Sequence, residues 1–239
     1  MTQSRIYDIQ IETFAKNIPI VDSSDIQKTR DAVNDYRLHM ASKGFVRSAD
    51  TSVEETETTI PGPPNAPEIL IRIYTPSNLQ YPVPAYINFH GGGFIFGDLD
   101  SEHARALAIS KACRAIAITV DYRLAPEHPY PAALQDCYTS LLWLVNNASN
   151  MGIDTSKIVV GGGSAGGNLA ASVALMARDK SGPSICHQML IYPALDDQAN
   201  TQSMLDGENT YVITSQNVLD MWTYYLGHDR TNVSYYAAP

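Results

Sequence analysis

The sequence predicts an α/β fold, a mostly parallel sheet with helices on both faces, and three observations predict it. From Ala85 onward, short apolar runs alternate with helical ones. The short runs lack polar alternation, as strands buried from both sides must. Two glycine-rich stretches, His90-Gly91-Gly92-Gly93-Phe94 and Gly162-Gly163-Ser164-Ala165-Gly166, directly follow two of those runs. Sites in such sheets form at the carboxyl ends of strands.

In chain order, residues 1–45 read as helices. Asp22, Ser23 and Ser24 are candidate caps for a helix with Ile26, Val33, Tyr36 and Met40 on one face, closed by Gly44. The stretch Ile6 to Phe14 mixes strand and helix spacing, and pattern alone leaves it open. Val53–Ile60 and Ile69–Tyr74 alternate around the turn Pro61-Gly62-Pro63-Pro64-Asn65, which predicts a hairpin. Strands are then expected at 85–89, 115–120, 158–160 and 186–192. Helices are expected at 101–113, 131–146, 165–179 and 216–226.

At 239 residues and 44% hydrophobic, the chain can bury a substantial core. A net charge of -9 argues against a nucleic-acid or anionic-membrane partner. Cys113, Cys137 and Cys186 are odd in number and far apart, and read as buried thiols of a reducing compartment rather than as disulfides or metal ligands. With no apolar signal core in Met1-Thr2-Gln3-Ser4-Arg5 and no run of transmembrane length, a cytoplasmic protein is expected.

Gly162-Gly163-Ser164-Ala165-Gly166 fits the G-x-S-x-G pattern between a strand and a helix. A turn that sharp strains the serine backbone, and flanking glycines let strand and helix close on each other. Read alone, the stretch is equally a glycine turn for phosphate. The second cluster decides between them. Glycines after His90 let backbone N–H groups face outward as an oxyanion nest. Neither cluster carries the lysine of a P-loop or the context of a dinucleotide site.

Three motifs together resemble the hormone-sensitive-lipase-like (GDXG) esterases of the α/β-hydrolases. They are His90–Phe94 with Gly97-Asp98, then Asp121-Tyr122-Arg123-Leu124-Ala125-Pro126-Glu127-His128-Pro129, and Gly162–Gly167. The resemblance implies hydrolysis of small carboxylic esters of short acyl chains, without metal or organic cofactor. It implies that Ser164 is the nucleophile, and that Gly92, Gly93 and Ala165 give oxyanion-hole amides in a loop shaped by Gly91. It also implies that His90, Asp98, Gly163 and Glu127 support the site, with His90 orienting the loop. Asp121, Arg123 and Glu127 read as a buried polar brace beneath it. It further implies cap helices at 1–45 over a core at 46–239, with a cap insertion at about 197–234, and it leaves room for a homodimer. One departure is Gly163, where the family motif has Asp.

An α/β-hydrolase triad runs Ser, then Asp or Glu, then His. The family's Asp-Pro-Leu and His-Gly-Phe motifs do not occur here. The expectation is therefore a C-terminally truncated core that lacks its last two strands, catalytic acid and base, with poor solubility or dependence on a partner from an exposed sheet edge. Ser164 with Asp196 or Asp197 and His228 satisfies the order formally, but His228 reads as a surface loop residue and His187 as core or sheet edge. The alternative function is a non-catalytic small-molecule binder on the same fold. Phe94, Tyr211, Trp222 and Tyr225 read equally as core or as pocket lining.

Overall fold

The structure, a computed structural model, describes residues 8–19, 21–43 and 51–239. The chain divides into two compact units, Met1–Val46 with Gln198–Asp220, and Arg47–Asp197 with Met221–Pro239.

The first unit holds α1 (Ile9–Ala15), α2 (Ile26–Ser42), the short α6 (Gln202–Leu205) and the start of α7 (Ser215–Leu226). The ambiguous stretch near the N-terminus is thus helical from Ile9. α2 is capped by Asp25, whose carboxylate accepts from the Lys28 amide at 3.0 Å. Asp22, a candidate for that cap, instead accepts from Ser24 one turn earlier. The expected stop at Gly44 lies outside the described residues. Asn217 donates to the Val21 carbonyl and Tyr211 to Glu12, which ties α7 and α1 into this unit.

The second unit is built on six strands: β1 (Val53–Ile60), β2 (Ile69–Pro76), β3 (Val83–Phe89), β4 (Ile116–Asp121), β5 (Ile153–Gly163) and β6 (His187–Ile191), in the order β1-β2-β4-β3-β5-β6. β1 and β2 form the expected hairpin, with Val53 opposite Pro76 and Ile60 opposite Ile69. β2 also pairs antiparallel with β4, and β4, β3, β5 and β6 run parallel. Tyr74, Ala117, Tyr86 and Val159 are successive cross-strand partners, so they share one face. That face packs on Ala106 and Leu107 of α3 (His103–Cys113). The opposite face presents Ile118, Ile87 and Val160, all within 1% of full burial, and is covered by α4 (Ala132–Met151) and α5 (Ala165–Asp179).

Two boundaries differ from expectation for physical reasons. β5 runs through Gly161, Gly162 and Gly163, because all three pair with β6 and the first two also pair with β3. Pairing outweighs the low strand propensity of glycine. α4 continues past Asn146 to a left-handed cap at Gly152, φ 68°. Cys137 is buried, but Cys113 and Cys186 are exposed, which corrects their reading as buried thiols. His187 is exposed on β6, the terminal strand of the described sheet.

Candidate active site

β3 and β5 are adjacent and parallel, with Phe89 opposite Gly162, so the loops that follow them emerge side by side. Ser164 stands at φ 53°, ψ -118°, between the last residue of β5 and the first of α5. A non-glycine residue at such a φ is strained, and strain of that kind concentrates at functional turns. Here it is held by the Ser164 amide donating to Ile191 at 3.0 Å and the Ser164 carbonyl accepting from the Ala194 and Asn168 amides. The Asn168 side-chain amide donates to Ala194 and Ala237 at 2.8 and 2.9 Å, which fixes the helix behind the serine.

The glycines explain how the turn closes. A Cβ on Gly166 would lie 2.0 Å from the Phe89 carbonyl oxygen, and one on Gly162 would lie 2.3 Å from the same atom. Only bare backbone lets the elbow come this near the end of β3. Gly92 and Gly93, at φ 126° and 58°, turn the neighbouring loop. The Gly92 carbonyl accepts from Ile95 and Phe96 at 3.0 Å, while the Gly92 and Gly93 amides donate to no backbone carbonyl among the described residues. The Ala165 amide is the first of α5, where a helix leaves its donors without partners in its own turns. Gly91 differs from its neighbours, because its amide donates to Glu102 at 3.3 Å.

His90 is fully buried, stacked on Tyr122 at 4.1 Å, with Nδ1 2.8 Å from the Gly91 carbonyl. Burial pulls its pKa down to about 4, so the ring is neutral at pH 7. Tyr122 donates to the His90 carbonyl at 2.7 Å and closes the same corner. Asp98 accepts from the Asp100 and Ser101 amides and shapes the turn leading into α3. Phe94 stacks on Tyr225 of α7 at 3.9 Å, and Trp222 lies tilted beside both. All three are nearly fully buried, so they are core that ties α7 to the glycine loop.

The expected brace is only partly present. Arg123 is held by Asp136, with its backbone amide and Nε both on Oδ2 and Nη2 on Oδ1 at 2.7 Å. Glu127 is exposed rather than buried, on a loop that runs over the surface from Pro126 to Pro129. Asp121 lies at the end of β4, and burial, followed by the charges of Asp98 and Glu57, pushes its carboxyl up to about 6. The folded chain therefore binds that proton more tightly than the unfolded chain, and its stabilising effect fades as pH rises from about 4 through 6. Asp121→Asn is expected to be more stable than the parent at pH 7.5, with the gap closing by pH 4, in urea unfolding. A gap of the same size at both pH values would show that the carboxyl titrates normally.

His228 is exposed in the loop after α7, and no hydrogen bond joins it to Ser164 among the described residues. Asp197 is buried, and its carbonyl accepts from Arg230. Sequence reasoning passed over four residues with contacts in this region: Glu102, Arg105, Asp136 and Asn168. Their only sequence signal is spacing, with Glu102 three before Arg105 and Asn168 four after Ser164.

A strand–serine–helix elbow beside a glycine loop at the carboxyl ends of a parallel sheet defines an α/β hydrolase. The Abhydrolase_3 family, described as alpha/beta hydrolase fold, matches residues 86–239. Carboxylesterase NlhH of Mycobacterium tuberculosis is 39% identical over 153 residues, 64% of this chain and 48% of that protein. Carboxylic ester hydrolase LipN of Mycobacterium tuberculosis is 40% identical over 179 residues, 73% of this chain and 47% of that protein. Among solved structures, a bacterial heroin esterase superposes with a TM-score of 0.91 at 35% identity, over 97% of this chain and 74% of that one. The chain belongs to the hormone-sensitive-lipase-like esterase family of the α/β-hydrolases. It spans about half the length of the curated relatives it matches. Among the described residues, no helix is long and apolar enough to cross a membrane.

Proposed function

We propose that this chain carries the nucleophile and oxyanion hole of a serine carboxylic-ester hydrolase acting on small esters of short acyl chains. The observation that carries the reading is Ser164, held at a strained φ of 53° beside a loop whose Gly92 and Gly93 amides have no backbone acceptor among the described residues. Ser164 Oγ attacks the ester carbonyl, and the Gly92, Gly93 and Ala165 amides stabilise the negative charge that develops on its oxygen. The carbonyl re-forms as the alcohol leaves, and water then releases the acid from the acyl-serine. Among the described residues, no histidine hydrogen-bonds to the Ser164 side chain. His90 is unsuited to the role of base, because it is fully buried, burial lowers its pKa to about 4 and leaves it a weak base, and its Nδ1 is hydrogen-bonded to the Gly91 carbonyl.

Imidazole added to the assay supplies the missing base, so the test is p-nitrophenyl acetate and butyrate turnover with and without it, beside Ser164→Ala. The parent is expected to exceed Ser164→Ala at least about tenfold in imidazole and to match it without. Strong serine-dependent turnover without imidazole would place a working base within these 239 residues. Equal rates in both conditions would remove Ser164 as nucleophile. Saturable binding of the ester without turnover would then favour the non-catalytic binder.

A further inference from the structure

Glu102 precedes the first turn of α3, on neither of the two glycine motifs, yet its carboxylate reaches both. Its side chain is 9% exposed and Oε1 accepts from the Gly91 amide at 3.3 Å. The same oxygen lies 3.1 Å from where a Cβ on Gly163 would stand, and Arg105 Nη1 lies 3.0 Å from that point. Arg105 pairs with the other carboxylate oxygen one helical turn on. The Gly91 side of the gap is equally tight, with a Cβ there 3.0 Å from the Gly163 carbonyl oxygen. A buried, paired carboxylate thus fills the space between the oxyanion loop and the serine elbow. The absence of a side chain at Gly163 gives it room.

We propose that Glu102, held by Arg105, is a positioning residue that ties the Gly91 amide to the Gly163 side of the elbow and so sets where the Gly92 and Gly93 donors stand relative to Ser164. The catalytic part of this statement rests on the esterase reading. The tie itself does not. By taking the Gly91 amide, Glu102 also decides which glycines of the loop remain available as donors. An ion pair of this kind holds geometry only while both partners are present, since a lone buried charge favours rearrangement.

The test measures hydrogen exchange of the Gly91 amide in the full chain, with amides in the middle of α5 as the reference. Glu102→Ala is expected to speed Gly91 exchange at least about tenfold without changing the reference, and Glu102→Gln, which keeps an acceptor oxygen, is expected to retain most of the protection. Gly163→Asp is expected to lower the melting temperature of the parent, because it sets a second carboxylate against Glu102. In the Glu102→Ala chain it is expected to restore Gly91 protection. Unchanged Gly91 exchange in Glu102→Ala overturns the tie, as does Gly163→Asp being equally harmful in both backgrounds. Should Glu102→Ala fail to fold, a folded Glu102→Ala/Gly163→Asp chain supports the proposal, and an unfolded one overturns it. Under imidazole rescue, Glu102→Ala is expected to lower kcat at least about tenfold with KM little changed, the mark of lost transition-state stabilisation. Absence of rescue in the parent strikes the esterase reading alone and leaves the exchange result to judge the tie.

Discussion

Replacing Gly166 with alanine is expected to destabilise the fold by about 3 kcal/mol or more, or to prevent folding. Helix propensity alone gives the opposite sign, because Gly166 sits in the first turn of α5, where alanine is otherwise favoured by up to about 1 kcal/mol. The contact reverses it. The new Cβ would lie 2.0 Å from the Phe89 carbonyl oxygen and 2.6 Å from that of His90, and both are backbone atoms. Neither can swing aside as a side chain can, so α5 must lift from the end of β3. That movement separates the elbow from the glycine loop, since Phe89 is the last residue before His90. Gly227→Ala is the control: its φ of +88° carries the left-handed penalty of about 1–2 kcal/mol, but no atom lies within 4 Å of the added carbon. Urea unfolding of both variants separates strain from collision. A Gly166→Ala chain as stable as Gly227→Ala would mean that β3 and α5 are not held at this distance.

That contact also shows what was legible in the sequence. The parallel sheet, the hairpin and both glycine clusters follow from local pattern: apolar runs, turn residues and spacing. What glycine at 162 and 166 accomplishes, an approach of the elbow to Phe89 some 75 residues earlier, is a long-range contact that pattern suggests only through the motif. Glu102, Arg105 and Asp136 were not legible. A charged residue on a helix reads as solvated surface, and nothing local says that Glu102 turns inward toward Gly91 or that Asp136 is 1% exposed. The motif containing Asp121 and Glu127 was legible as a unit, but burial differs within it, because β4 ends at Asp121 while Glu127 has passed onto an exposed loop.

Asp136 shows the energetic side of such hidden charges. It receives three donors from Arg123, namely the backbone amide, Nε and Nη2, at 2.7 to 3.0 Å. Asp136→Ala would leave the guanidinium with one long contact, to the Ala132 carbonyl at 3.4 Å, and would orphan the Arg123 amide. Breaking a buried pair from one side costs about 3–5 kcal/mol, and the 19% exposure of the Arg123 side chain places the expected loss near the lower end, about 3 kcal/mol. Removing both charges is a different experiment. Arg123→Met with Asp136→Leu keeps most of the volume and leaves no charge to desolvate, so the double variant is expected to be more stable than Asp136→Ala, although the backbone amide still lacks an acceptor. The effect should reach the site, because the Ala125 amide, two residues on, donates to the Phe94 carbonyl at 2.9 Å and anchors the end of the glycine loop. Asp136→Ala is therefore expected to speed hydrogen exchange at Ala125 as well as to lower the urea midpoint. A lowered midpoint with Ala125 unchanged would confine the pair to bulk stability. A double variant no more stable than the single would show that solvent, which reaches the 19% exposed Arg123 side chain, satisfies the unpaired guanidinium.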